Sequence, residues 1–352
     1  MESTPVITKE TKKSIHVDYE GKLSFKDRLL QKLKASNTWI KLAINIVRFI
    51  LMLGVSYVII NPFLSKIAGS FMSKEDVIDS TVLLIPKHFS VDIYKYLFLE
   101  NHYLNAFINT LTLSLICAVA QTLVACLVGY GLSKFKFKGN KIVMAVVLLT
   151  MVIPHNALRV SFMQHFSHFD LFNVIAWDYK GPIALFNGGN TVSLSDTYWP
   201  LALMSITGIA FKNGLYIYMM RQFFKGVPDE LEESAYVDGS GVIRTFFQII
   251  LPLSIPMMIT IFLFSFSWQW TDEFYANLFF TDPESTLYLM PDVYGKVPKT
   301  LSNAIKNFSG KSIYQSVIRN TAGLMIIAPL IIMYLFCQKF LVQGIERSGL
   351  VG

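Results

Sequence analysis

Between two apolar runs the chain carries a charged insert, Pro228-Asp-Glu-Leu-Glu-Glu-Ser-Ala-Tyr-Val-Asp-Gly239, which continues to Ile249-Ile-Leu-Pro252. The chemistry these residues suit is non-covalent docking. Pro228 has φ preset for a first helical turn and needs no amide donor there. Asp229, Glu230, Glu232 and Glu233 put negative charge at the positive end of the helix dipole. After about two turns, Asp238-Gly239 supplies a left-handed C-cap. Ser240 restarts a second helix that runs through Phe246 and Ile249 until Leu251 and Pro252. Beside Leu231, the acidic residues can pair with Lys or Arg on a partner, and the small Ser234 and Ala235 let its surface approach the backbone. A surface helix packed only against its own bundle is the competing reading.

A second set suits sugar contact. Phe264, Trp268, Thr271 and Tyr275 follow steps of four, three and four, so a helix places them on one face. Aromatic rings with polar handles stack on sugar C–H faces while hydroxyls bond to their edges. Trp and Tyr near the end of a span are also ordinary interfacial anchors, and periodicity alone does not separate the two readings.

Other chemistries lack their residues. Gly310-Lys311-Ser312 has the ending of a phosphate loop, but Ile305 stands where its first glycine belongs. Without backbone amides to cradle phosphates, no ATP hydrolysis is expected here. No Gly-x-Ser-x-Gly nucleophile elbow occurs. His155, His165 and His168 lie close in sequence without a carboxylate or Cys at ligand spacing, so they read as loop histidines rather than a metal site. Cys117, Cys126 and Cys337 sit in apolar runs and read as small packed hydrophobes. Asp272 and Glu273 fall at the outer end of an apolar run, and no buried acidic chain suggests a proton relay.

The elements that must position these residues are membrane helices. Of 352 residues, 53% are hydrophobic and 16% charged, and mean hydropathy is +0.46. Soluble domains carry about a quarter charged residues. Six apolar runs approach the ~20 residues that cross a bilayer: residues 42–60, 106–132, 142–158, 199–220, 249–270 and 321–339. Arg48 lies near the start of the first, where it can snorkel. Pro154 kinks the third or ends it.

Lys134, Lys136, Lys138 and Lys141, the basic N-terminal tail of residues 1–40 and the 221–251 loop all fall on one side of this arrangement. By the positive-inside bias that side is the cytoplasm, with both termini inside. The tail is expected to carry no cleaved leader. Its Lys22 to Lys34 stretch suits either a basic helix on anionic lipid or a solvated leader. The net charge of +7 is thus topological, and no nucleic-acid partner is expected.

The spacing Glu233-Ser-Ala, three residues, Gly239, nine residues, Ile-x-Leu-Pro252 resembles the EAA loop of binding-protein-dependent ABC importer permeases. The likeness runs from about Leu51 to Gly352. It includes Asn105-Ala-Phe-Ile-Asn-Thr-Leu111, Gly129-Tyr-Gly-Leu-Ser-Lys-Phe-Lys-Phe-Lys-Gly139, Met151-Val-Ile-Pro154 and Asp196-Thr-Tyr-Trp-Pro200. Gln338-Lys-Phe-Leu-Val-Gln-Gly344 is similar to the ending of the maltose-type, carbohydrate branch.

The resemblance implies an all-α polytopic membrane protein, with residues 41–352 forming a six-helix transmembrane domain in a bacterial inner membrane. It implies no enzymatic activity in this chain, with ATP and Mg bound by a partner ATPase dimer gripping the loop. The other implied partners are a second homologous permease and an extracytoplasmic sugar-binding protein. In the maltose-type branch the partner permease mainly holds the sugar.

There are departures: Ser234 replaces an alanine, and Trp270-Thr271 stands where the branch has Trp-Asn. The external stretch 171–195 is longer, suiting a binding-protein contact or a tolerated insertion. A glycerol phosphate or peptide remains the alternative cargo, and an ion-driven carrier the rival class.

Overall fold

The structure is a computed structural model, and it describes residues 36–169, 193–280, 287–295 and 299–349. The N-terminal tail lies mostly outside these residues, as does the stretch 171–195. Two compact units divide the chain, Met1–Leu64 and Ser65–Gly352. In the first, helix α1 (Ser36–Ser70, running into the second unit) exposes apolar side chains on every side, among them Phe49, Leu51, Met52, Val55 and Val58. A helix apolar all round belongs in hydrocarbon.

The second unit is a helical array. Two short helices, α2 (Lys74–Ile78) and α3 (Asp92–Glu100), lead into α4 (Tyr103–Lys134). Then come α5 (Asn140–Val152), α6 (Arg159–Ser167), α7 (Trp199–Thr207), α8 (Asn213–Lys225) and α9 (Glu230–Val237). The chain returns through α10 (Val242–Trp270). Short helices α11 (Phe274–Phe279), α12 (Met290–Gly295) and α13 (Lys299–Ala304) precede the last, α14 (Lys311–Gly349).

Among the described residues, four helices are long and apolar enough to cross a membrane: α1, α4, α10 and α14. A fifth span is present if α5 and α6 count as one, although they meet at 89°. The bend falls at Pro154, so the expected span 142–158 does not run straight through it. The expected span 199–220 is also corrected. It breaks after Thr207, where Gly208 (φ 81°) and Lys212 (φ 67°) adopt left-handed backbone and split α7 from α8. The apolar run is continuous there, and hydropathy cannot register a break set by two backbone angles.

The core is built on α4, which packs against α7, α8 and α10. Two helix crossings are tight because a glycine removes the side chain. A Cβ on Gly129 would lie 2.6 Å from the Met220 Cβ, and one on Gly214 would lie 2.5 Å from the Thr150 hydroxyl. Small residues at crossings are how membrane helices approach closely without a hydrophobic driving force. A buried polar chain links three helices. Ser265 donates to Gln121 Oε1 (2.7 Å), Gln121 donates to the Ser205 hydroxyl (3.1 Å), and Ser205 donates to the Leu201 carbonyl (2.7 Å).

Pro252 does not stop its helix, contrary to the sequence reading. It lacks the donor that residue 248 would accept from, and the turn ahead of it, Phe246–Ile250, widens into a π-helix. There the Leu251 amide reaches back to the Phe246 carbonyl, so the helix carries on through Pro256 to Trp270. In α14, Pro329 likewise frees the Met325 carbonyl. The Tyr103 hydroxyl donates to that carbonyl at 3.0 Å, and Trp270 Nε1 donates to the next one, Ile326, at 2.9 Å. Neighbouring helices thus restore what the proline removes.

Candidate functional site

The segment expected to dock a partner is a short helix tethered at one end and turned sharply at the other. α8 ends at Lys225, and after Gly226 and Val227 the chain reaches Pro228. The regular turns of α9 begin at Glu230 with Asp229 at the N-cap. Pro228 therefore stands just ahead of the first helical turn instead of inside it, its carbonyl accepting from the Leu231 amide.

Lys134, in the last turn of α4, fixes this entrance. Its ammonium donates to the Val227 carbonyl (2.6 Å) and to Asp229 Oδ1 (2.5 Å). The Lys134 hydrogen bond, and then its charge, hold the Asp229 carboxyl below the usual carboxylate range. The sequence reading counted Lys134 only as an orientation charge, and its partner stands 95 residues away.

At the far end α9 closes with two reversed bonds. Ser240 N–H donates to the Ala235 carbonyl (2.9 Å) and Gly239 N–H to the Tyr236 carbonyl (3.0 Å). Gly239 has φ 80°, the left-handed C′ position of a Schellman motif. Ser240 accepts from the Thr245 hydroxyl (3.1 Å), and Val242 opens α10.

The exposed face of α9 is Glu230, Leu231, Glu233, Ser234 and Val237, with Asp238 beyond it. Glu232 and Ala235 are corrected: both are buried, at 7% exposure. The small size of Ala235 lets α9 lie against the protein's own core. Glu232 lies beside the Tyr130 side chain, and its Oε1 is buried with no hydrogen-bond partner among the described residues. Leu251 and Pro252 lie inside α10, beyond the loop.

The second site is a cleft further along α10. Gln121, Phe211, Ser265, Trp268, Gln269 and Tyr275 are among the residues lining it. α10 stops at Trp270, so the assumed continuous face fails there: Tyr275 belongs to α11 and is buried. Trp268 and Tyr275 still meet at this cleft. Thr271 lines a separate one with Trp270 and Met290, and Phe264 packs into the core around α4 and α8.

The sequence reading missed three contributors. Lys212 lies over the rings of Phe211 (4.7 Å to the centroid) and Trp268 (4.9 Å), held there by its left-handed backbone. His155, read as a loop residue, hydrogen-bonds the Tyr275 hydroxyl and meets Phe211 edge-on. Gln121 brings the buried polar chain to the cleft wall. Among the described residues no three His, Cys, Asp or Glu side chains converge to hold a metal.

The chain is similar to known proteins. The galactooligosaccharides transport system permease protein GanQ of Bacillus subtilis is 27% identical over 308 residues, covering 86% of this chain and 94% of GanQ. The maltodextrin transport system permease protein MalD of Streptococcus pneumoniae is 28% identical over 302 residues, covering 86% and 93%. A crystal structure of a bacterial ABC transporter involved in the import of the acidic polysaccharide alginate matches the fold. Its TM-score is 0.62 at 19% identity, over 90% of this chain and 98% of that one. The family model of binding-protein-dependent transport system inner membrane components matches residues 104–347, and the chain belongs to that family.

Proposed function

We propose that this chain is one of two homologous permease subunits of an ATP-driven importer for carbohydrate, an oligosaccharide by its relatives' cargo, in a bacterial inner membrane. Six crossings place both termini and the α9 loop in the cytoplasm. Two separate ATPase subunits carry the ATP and Mg and press on the exposed face of α9. An extracytoplasmic binding protein delivers the sugar to the cleft at Trp268 and Tyr275. The chain supplies half the path and the mechanical coupling, with no covalent chemistry of its own.

The observation that carries this reading is α9 itself. An acidic, solvent-facing helix is clamped by Lys134 to α4 and leads directly into α10, whose far end carries Trp268. A push on α9 is thereby passed along α4 and α10 to the cleft. The relatives whose names specify a cargo, such as galactooligosaccharides, maltodextrin and trehalose, support carbohydrate as the substrate class.

Reconstitution with the partner permease, ATPase and binding protein tests it. ATP-dependent uptake of an oligosaccharide from a panel is expected. Glu233→Lys is expected to keep the complex inserted while separating ATP hydrolysis from uptake. Uptake of no sugar but of a glycerol phosphate or peptide would overturn the cargo, and uptake without ATP would overturn the class.

A further inference from the structure

A further cleft lies where α4 and α8 end and α5 begins, beside the docking loop but lined by different residues. It is an open groove of about 780 Å³, and its walls include Ser133, Lys136, Lys138, Lys141, Arg221 and Lys225. Five cations and no carboxylate line it. Among the described residues none of the five makes an ion pair, and the nearby carboxylate, Asp229, is already held by Lys134. Arg221 spends only its Nε, on the Leu132 carbonyl at 3.4 Å. Like charges are not gathered this closely without cost.

Three further features aim the cleft at an anion. The N-terminus of α5 opens into it through Gly139, Asn140, Lys141 and Ile142, and no side chain caps this helix. Its first-turn amides and dipole favour negative charge. The Ser133 hydroxyl is buried with no hydrogen-bond partner among the described residues. Asn140 donates to the carbonyls of Leu132 (3.1 Å) and Phe135 (3.2 Å), so the loop that carries the lysines is fixed in shape.

The surroundings identify the source of the anion. Phe135, Phe137 and Ile142 line the same cleft and are exposed, at 43%, 46% and 70%. They stand at the ends of apolar helices, where acyl chains begin. We propose that this cleft is a binding site for the phosphate headgroup of an anionic phospholipid. The phosphate sits on the α5 N-terminus among Lys136, Lys138, Lys141, Arg221 and Lys225, with the acyl chains against Phe137 and Ile142. A lipid held there braces the α4–α5 turn, next to the Lys134 clamp.

The probe is phosphatidylglycerol, against phosphatidylcholine and inorganic phosphate, added to the detergent-purified complex at physiological salt. Phosphatidylglycerol is expected to raise the unfolding temperature and to be retained through size exclusion, and the other two are not. Lys136→Gln/Lys138→Gln/Lys141→Gln should lower retention at least about tenfold, given the usual worth of each basic residue at an anionic surface, while the triple Arg variant restores it. Should the Gln variant fail to insert, a phosphatidylglycerol with a photoreactive headgroup should label peptides within 133–142 of the wild-type chain. Equal effects of phosphatidylglycerol and phosphatidylcholine would overturn the proposal, as would labelling elsewhere. An equal effect of inorganic phosphate would overturn the lipid assignment. Loss of ATPase retention with lipid binding unchanged would assign the cleft to the protein partner.

Discussion

Single residues at the proposed docking loop should separate fold from coupling. Gly239 at φ 80° tolerates a β-branched side chain poorly, a left-handed residue costing about 1–2 kcal/mol. Gly239→Val should leave the chain in the membrane, since no atom approaches the site within 4 Å. It should shift the exit of α9 and reduce uptake per ATP hydrolysed; normal coupling in proteoliposomes would remove Gly239 from the mechanism. Lys134→Met should act similarly by freeing the entrance, with unchanged membrane insertion as the control. The clamp also has a definite pH behaviour. The Asp229 carboxyl is held below its ordinary value of about 3.9, so its contribution is present above that value and lost as pH falls through the lower, folded one. Coupling through this pair should therefore be flat from about pH 5 to 8, and a midpoint in that window abolished by Asp229→Asn would contradict the assignment. At the cleft, Trp268→Ala should lower transport if the ring meets sugar, and a change confined to expression would make it an anchor.

Helices register what residues cannot. Gly129 and Gly131 are two apart on α4, yet a Cβ on the first would strike Met220 while the second has open space. Gly129→Ala should destabilise by about 1–3 kcal/mol through overpacking, whereas Gly131→Ala should be neutral or stabilise by about 0.5–1 kcal/mol, as alanine suits helices better. Thermal unfolding of the detergent-solubilised protein reads both, and equal shifts would contradict the tight crossing. This scale also separates what the sequence made legible from what it hid. The long apolar runs of α1, α4, α10 and α14 were readable because twenty such residues have few other uses. The charged insert stood out against those runs, and its turn was legible because Asp-Gly so often ends a helix. The split between α7 and α8 was hidden, since left-handed angles at Gly208 and Lys212 leave hydropathy unchanged. The burial of Glu232 and Ala235 was hidden too, because which face of a two-turn helix points inward depends on the Tyr130 side chain a hundred positions earlier.

At the scale of the whole molecule, charge and apolarity together define a direction. α4 begins beside α3 and ends at Lys134, which holds the entrance of α9. The two ends of this one helix should therefore lie on opposite sides of the bilayer, with the lysine-rich end inside. Cys117 and Cys126 are buried and Cys337 half-buried, so replacing all three with Ser removes background labelling. Ile85, in the segment that precedes α3 and α4, is 83% exposed, and Ile85→Cys marks that end. Lys138→Cys and Glu233→Cys mark the other end. A membrane-impermeant maleimide should label Ile85→Cys in intact cells, and the other two only in inverted vesicles. The reverse pattern would invert the chain and place α9 out of reach of any cytoplasmic ATPase. Labelling of Ile85→Cys and Lys138→Cys from one side would mean that α4 does not cross. Cysteines appended before Met1 and after Gly352 complete the test, because six crossings require both to be labelled only from the inside.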